Sequence, residues 1–94
     1  MTLRDESRIT LSGEQVSAEL DGEAVVLNLR EGVYFGLNPV GTRVWSLLKE
    51  GPKSVLELRQ AILDEYDVAF QQCDEDLRSL LTSLDEHGLI VISD

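Results

Sequence analysis

The sequence predicts an α+β domain: a three-stranded antiparallel β-meander, then three α-helices and a short C-terminal extended segment. Three observations carry this. Apolar residues alternate with a period of two through the first third of the chain, the period changes to three and four at Asn38-Pro39, and Gly- or Pro-containing breaks separate the runs.

Val16, Ala18 and Leu20 form the first alternating run, and Val25, Leu27 and Leu29 repeat it. Asp21-Gly22 between them suits the positive φ angles of a two-residue hairpin turn, which makes the pair antiparallel. Arg30-Glu31-Gly32 breaks the chain before Val33-Tyr34-Phe35-Gly36-Leu37, and connections this short place that third strand at one edge. Ile9-Thr10-Leu11 is a candidate for a further short strand. Asn38 caps the first helix and Pro39 occupies its first turn, where a missing N–H is no loss. Val40, Val44, Leu47 and Leu48 make the apolar stripe with Trp45 on its flank, Lys49 complements the C-terminal dipole, and Gly51-Pro52 stops the helix. Ser54 and Glu57 have capping-box spacing for a second helix, whose apolar face is Val55, Leu58, Ile62 and Tyr66 and which ends at Asp67-Val68. A third helix begins near Phe70, since Phe70, Cys73, Leu77, Leu80, Leu81 and Leu84 recur at three and four up to the stop at Gly88. Leu89-Ile90-Val91-Ile92 is β-rich, too short for a helix, and reads as an extended segment on the core. Residues 1–94 thus make one domain, with 1–8 expected to be flexible.

The chain carries 8 Lys and Arg against 18 Asp and Glu, a net charge of -10. That balance repels phosphate backbones and anionic lipid, and nucleic acid is excluded as a partner. A hydrophobic share of 43% is that of a globular chain, which argues against disorder. Cys73 is the single cysteine and His87 the single histidine, too few for an internal disulfide or a zinc cluster. Met1 to Arg8 hold no signal-peptide core, and no apolar run approaches the ~20 residues of a membrane span, so a cytoplasmic protein with no membrane partner is expected. No Gly-rich phosphate loop or metal cluster is visible, so no cofactor or metal is expected either. With one histidine and no partner set for paired carboxylates, the chain does not read as an enzyme.

Strands, three short helices and a terminal strand outline a winged helix-turn-helix domain, which ordinarily sets its third helix into a DNA groove. From Gln71 to Gly88, however, Asp74, Glu75, Asp76, Asp85 and Glu86 face Arg78 alone, so the helix that should meet phosphates is acidic. The residues resemble instead the PqqD-like family, the small domains typified by the pyrroloquinoline quinone biosynthesis protein D and known as precursor-peptide (RiPP) recognition elements. The resemblance covers most of the chain. It lies in Val26-Leu27-Asn28-Leu29, in Gly32-Val33-Tyr34-Phe35-Gly36-Leu37-Asn38, in Gly41 and Val44-Trp45 with Leu47-Leu48, and in Asp76-Leu77, Leu80-Leu81, Leu84 and Gly88-Leu89-Ile90. The string Tyr-x-x-Leu-Asn-x-x-Gly-x-x-x-Trp, from Tyr34 to Trp45, is its most specific part. Length, acidity and the absence of a fused domain look like the stand-alone version that serves lasso-peptide biosynthesis.

The resemblance implies a protein that does no chemistry itself. It implies binding of the leader segment of a ribosomally made precursor peptide and hand-over to a separate modifying enzyme, in the lasso case a transglutaminase-like leader peptidase followed by a cyclase. It further implies that the leader adds as a strand to the sheet edge and lies against the third helix. Those features map onto Val33, Tyr34, Phe35, Gly36 and Leu37, and onto the face around Asp74, Leu77, Arg78 and Leu81. An open strand edge independently offers main-chain hydrogen bonds to an extended peptide.

Plainer readings stand beside these. Tyr34, Phe35 and Leu37 each read equally as core or groove, although strand alternation sends Tyr34 and Phe35 to opposite faces. Trp45, Leu77, Leu80 and Leu84 read as core, Leu81 and Arg78 as the margin, Cys73 as a buried inert thiol, and His87 as a partner of the helix C-terminus. The acidic run Asp74-Glu75-Asp76 is either a solvated face or an attractor of a basic leader or enzyme. A winged-helix regulatory module, or a dimerisation module acting through protein contacts and not DNA, is the alternative function.

Overall fold

In the computed structural model, which describes residues 3–93, the chain runs β1 (Arg8–Leu11), β2 (Gln15–Leu20), β3 (Glu23–Asn28), β4 (Val33–Gly36), α1 (Pro39–Glu50), β5 (Lys53–Ser54), α2 (Val55–Glu65), α3 (Phe70–Glu86) and β6 (Ile90–Ser93). β2, β3 and β4 are the expected antiparallel meander, in that spatial order, with Val26 opposite both Ser17 and Phe35. Asp21 at φ 54° and Gly22 at φ 80° make its first turn with both central residues left-handed.

The other strand candidate behaves differently. β1 does not join the meander but lies between β5 and β6 in a second antiparallel sheet, with Ile9 opposite both Lys53 and Ile92. The closing segment is therefore a paired strand, and β5 is a two-residue strand too short to give a periodic signal.

The helix signals translate directly into caps. Asn38 Oδ1 accepts the Gly41 N–H at 2.8 Å, and Ser54 and Glu57 exchange both bonds of a capping box. A Cβ on Gly41 would lie 3.2 Å from Asn38 Oδ1 and 3.3 Å from Leu37 Cδ2, which gives the glycine of the Tyr34-to-Trp45 string a packing reason. Ile9, Val26, Val44, Trp45, Leu58, Leu81, Leu84 and Leu89 are buried together where the helices meet both sheets.

Of the stretch 1–8, expected to be flexible, residues 3–8 lie against the body, and Met1 and Thr2 fall outside the described residues. Ser7 is fully buried, and its carbonyl accepts the Val55 N–H at 3.1 Å. Asp5 is held by a cation on the apolar side of α2. Arg59 is only 4% exposed and donates to Asp5 Oδ2 at 2.8 Å and Asp74 Oδ1 at 2.7 Å. Arg78 in turn donates to Asp5 at 2.7 Å, to Asp74 at 3.0 Å and to the Leu3 carbonyl. Two arginines thus alternate with two carboxylates in a closed ring joining the N-terminal stretch, α2 and α3. Phe70, expected on the apolar core face, is 58% exposed and lies over the Arg59 guanidinium, 4.8 Å from its centre, which it shields from water.

Hydrogen bonds from Arg59 hold the Asp5 carboxyl below its ordinary range, as the Ser54 backbone N–H does for Glu57 and Arg43 does for Glu65. A carboxyl depressed on folding binds fewer protons in the native state than in the unfolded one. Its stabilisation is present above the unfolded value, near pH 4, and is lost as pH falls through the lower native value. The urea midpoint is accordingly expected to hold from pH 7 to about pH 5 and to fall below it, with a shallower fall in Asp5→Asn. A midpoint that rises on acidification would contradict this.

Candidate functional site

The meander determines which main-chain groups stay open. Leu29 N–H donates to the Glu14 carbonyl and Leu37 N–H to the Ala24 carbonyl, so odd-numbered residues of β3 bond to β2 and even-numbered ones to β4. Val33 and Phe35, opposite Asn28 and Val26, aim their N–H and C=O groups at β3. Tyr34 and Gly36 aim theirs outward, and among the described residues no strand lies beyond β4. Side chains alternate in step. Phe35 is half-buried and Leu37 buried on the helix side, whereas Tyr34 stands on the opposite face, 70% exposed. Strand alternation thus sends Phe35 and Leu37 inward and Tyr34 outward, with Val33 exposed at the end of the edge.

Beside this edge runs a groove of about 500 Å3. Phe35, Leu37 and Val40 line it from the β4 side and Cys73, Leu77 and Leu80 from α3, with the buried Val44 and Ile62 also in its wall. Asn38, Asp67 and Asp76 supply its polar groups. Residues 73, 76, 77 and 80 make one stripe of α3 at spacings of three and four.

Two buried polar side chains set the distance between β4 and the helices. Asn28, 4% exposed, donates from Nδ2 to the His87 carbonyl at 2.7 Å, and its Oδ1 accepts from the Arg30 and Glu31 N–H groups. The β3–β4 turn is thereby tied to the end of α3. Thr42 Oγ1 accepts the Ala24 N–H at 2.7 Å and ties α1 to the start of β3. His87 donates from Nδ1 to the Ser83 carbonyl, satisfying a helix terminus as expected, and meets Phe35 edge-on at 4.9 Å.

The structure brings only part of the expected helix face to this groove. Leu77 lines it. Leu81 is fully buried, and Asp74 and Arg78 sit a quarter-turn or more round the helix, engaged in the ring with Arg59 and Asp5. Asp76, Leu80 and Cys73 occupy the groove side instead, and Asp76 accepts a hydrogen bond from Gln72 at 2.9 Å. Within the acidic run, Asp74 is therefore neutralised by arginines, and Asp76 is the carboxylate at the groove. The apolar stripe indicated which residues leave solvent but not which side of it faces an opening. The Asp74–Arg78 spacing of four was a legible signal of an ion pair.

Burial raises the Cys73 thiol pKa against the opposing pull of Arg59, so the sulfur stays protonated and unreactive near neutral pH. Among the described residues no group of three or more His, Cys, Asp or Glu side chains could hold a metal ion, and no helix is long and apolar enough to cross a membrane.

A meander whose β4 edge is open and flanked by an apolar groove of helix side chains defines a scaffold with both requirements of β-augmentation: free main-chain groups and side-chain pockets. The chain belongs to the PqqD family, whose model, Coenzyme PQQ synthesis protein D (PqqD), matches residues 23–90, from the first residue of β3 to the first of β6. Among solved structures it is similar to TbiB1 in complex with the TbiA(beta) leader peptide, at 44% identity and a TM-score of 0.79, over 86% of this chain and 93% of that one. It is also similar to lasso peptide synthetase B1 complexed with the leader peptide, at 30% identity and a TM-score of 0.75, over 88% and 96% of the two chains. No curated protein matches it.

Proposed function

We propose that this protein is a lasso-type recognition element, which binds the leader of a ribosomally made precursor peptide in the cytoplasm and presents it to a separate leader peptidase, doing no chemistry itself. The observation that carries the reading is the open β4 edge beside the groove. The leader adds as a strand against Tyr34 and Gly36, whose main-chain groups point outward, and alternate leader side chains enter between Phe35, Leu37, Leu77 and Leu80. Asp76 favours a basic leader residue at the groove mouth. Family membership and the likeness to two leader-bound proteins support the same reading.

Binding of this kind uses main-chain hydrogen bonds and apolar contacts, and needs no metal. Isothermal titration with a synthetic lasso leader is expected to give one-to-one binding with an affinity unchanged by EDTA. Absence of binding, or its loss on chelation, would defeat the proposal.

A further inference from the structure

The β2-β3-β4 sheet carries apolar side chains on the side away from the helices as well as on the core side, where Ala24, Val26, Phe35 and Leu37 lie. In an antiparallel sheet with one face on a core, the solvent face is ordinarily polar. Here the registers set Val16, Leu27 and Tyr34 in one row and Ala18 and Val25 in the next, all on the outer face. Val16 is 51% exposed, Leu20 67% and Tyr34 70%. On β2 the alternation is inverted outright, since Ser17 and Glu19 lie on the parity that faces the helices. Val25 and Leu27 are half-buried by their neighbours, but Val16, Leu20 and Tyr34 stay exposed, so their apolar surface adds little hydrophobic stabilisation to the fold.

Three features identify the occupant. The first is charge: Glu14 and Glu23 flank the same face, and Asp21 stands in the exposed turn at its end, with Arg30 bound to Glu14 at 2.9 Å. A second copy would bring acidic rim against acidic rim, whereas a surface ringed by lysines and arginines is complementary. The second is size. Six residues at about 3.3 Å by three strands about 4.8 Å apart cover on the order of 300 Å2, well under the roughly 800 Å2 per partner of a standard stable complex, which suits a transient contact. The third is continuity with the leader site. A strand added beyond β4 would project every second side chain onto this face beside Tyr34, widening it from three strands to four.

We propose that the outer face of the meander docks the processing enzyme through an apolar patch with a basic rim, and that a bound leader completes the surface. This rests on the leader-binding reading above, and makes loaded protein a better partner for the enzyme than empty protein.

The test uses the transglutaminase-like peptidase encoded with the precursor, and the double variant Val16→Thr/Leu20→Lys, which keeps a β-branched residue in the strand and places a cation against the basic rim. Thermal unfolding and leader affinity are expected to stay within about twofold of the parent. Affinity of the loaded protein for the peptidase is expected to fall at least about tenfold, with KM rising in parallel and kcat retained. Leu20→Glu, equally polar but complementary in charge, should lose less. Unchanged peptidase affinity in the double variant would overturn the proposal. So would a parent that dimerises at micromolar concentration through a contact abolished by Leu20→Lys, since a second copy would then cover the face. A parent that binds no leader would count against the leader-binding reading instead, and direct binding of the peptidase to empty parent and variant would still decide this one.

Discussion

Gly36→Pro is expected to fold and to lose at least about tenfold in leader affinity, each main-chain hydrogen bond being worth roughly 1 kcal/mol and the ring adding a clash. The N–H removed is one of the two that point away from β3, and a Cβ at this position meets nothing within 4 Å. Proline at Tyr34, the other outward position, should behave alike. At Phe35 the same change deletes the bond to Val26 and forces the ring into the pairing with β3, so that variant is expected to unfold or to melt without cooperativity. Circular dichroism melts and titration with the leader separate the two classes. A folded Gly36→Pro protein that binds as tightly as the parent would place the leader elsewhere.

Arg59→Ala is expected to cost about 3 kcal/mol, the usual scale for removing one partner of a buried ion pair. For 94 residues the generic stability is roughly 5 to 14 kcal/mol, so the loss is a large part of the whole. Arg59→Lys should recover only part of it, because a point ammonium cannot bridge Asp5 and Asp74 in the manner of a planar fork. Arg78, whose side chain is 31% exposed, should matter less when replaced by alanine, by about 1 kcal/mol. Urea denaturation checks the series. A loss in Arg59→Ala below that in Arg78→Ala would mean that the ring is not the clasp described.

What the sequence made legible was what local chemistry decides. Asn38-Pro39, the Ser54–Glu57 box and Asp21-Gly22 each satisfy or free their own backbone groups within a few residues, and all formed as expected. The edge position of β4 was also legible, since two short connections leave a third strand little choice. Long-range partners were not. Ile9-Thr10-Leu11 has the pattern of a strand, but that its neighbours would be residues 53 and 54 on one side and 90–93 on the other is a matter of tertiary packing. Arg59 lies among Val55, Leu58 and Ile62 on the wheel, a buried position for a charge, yet its partners are 54 and 15 residues away. Leu80 and Leu81 are adjacent on one stripe, and the docking of β4 through Asn28, Phe35 and His87 decides that Leu81 fills the core while Leu80 lines the groove.

Amide hydrogen exchange of β4 tests strand addition most directly, because it reads the main-chain bonds themselves. Without leader, the Val33 and Phe35 amides, bonded to β3, are expected to exchange slowly, and those of Tyr34 and Gly36 quickly. Saturating leader should slow Tyr34 and Gly36 by at least about tenfold and leave Val33 and Phe35 nearly unchanged. If leader binds and both outward amides keep their free rates while protection appears on another element, strand addition at β4 is contradicted.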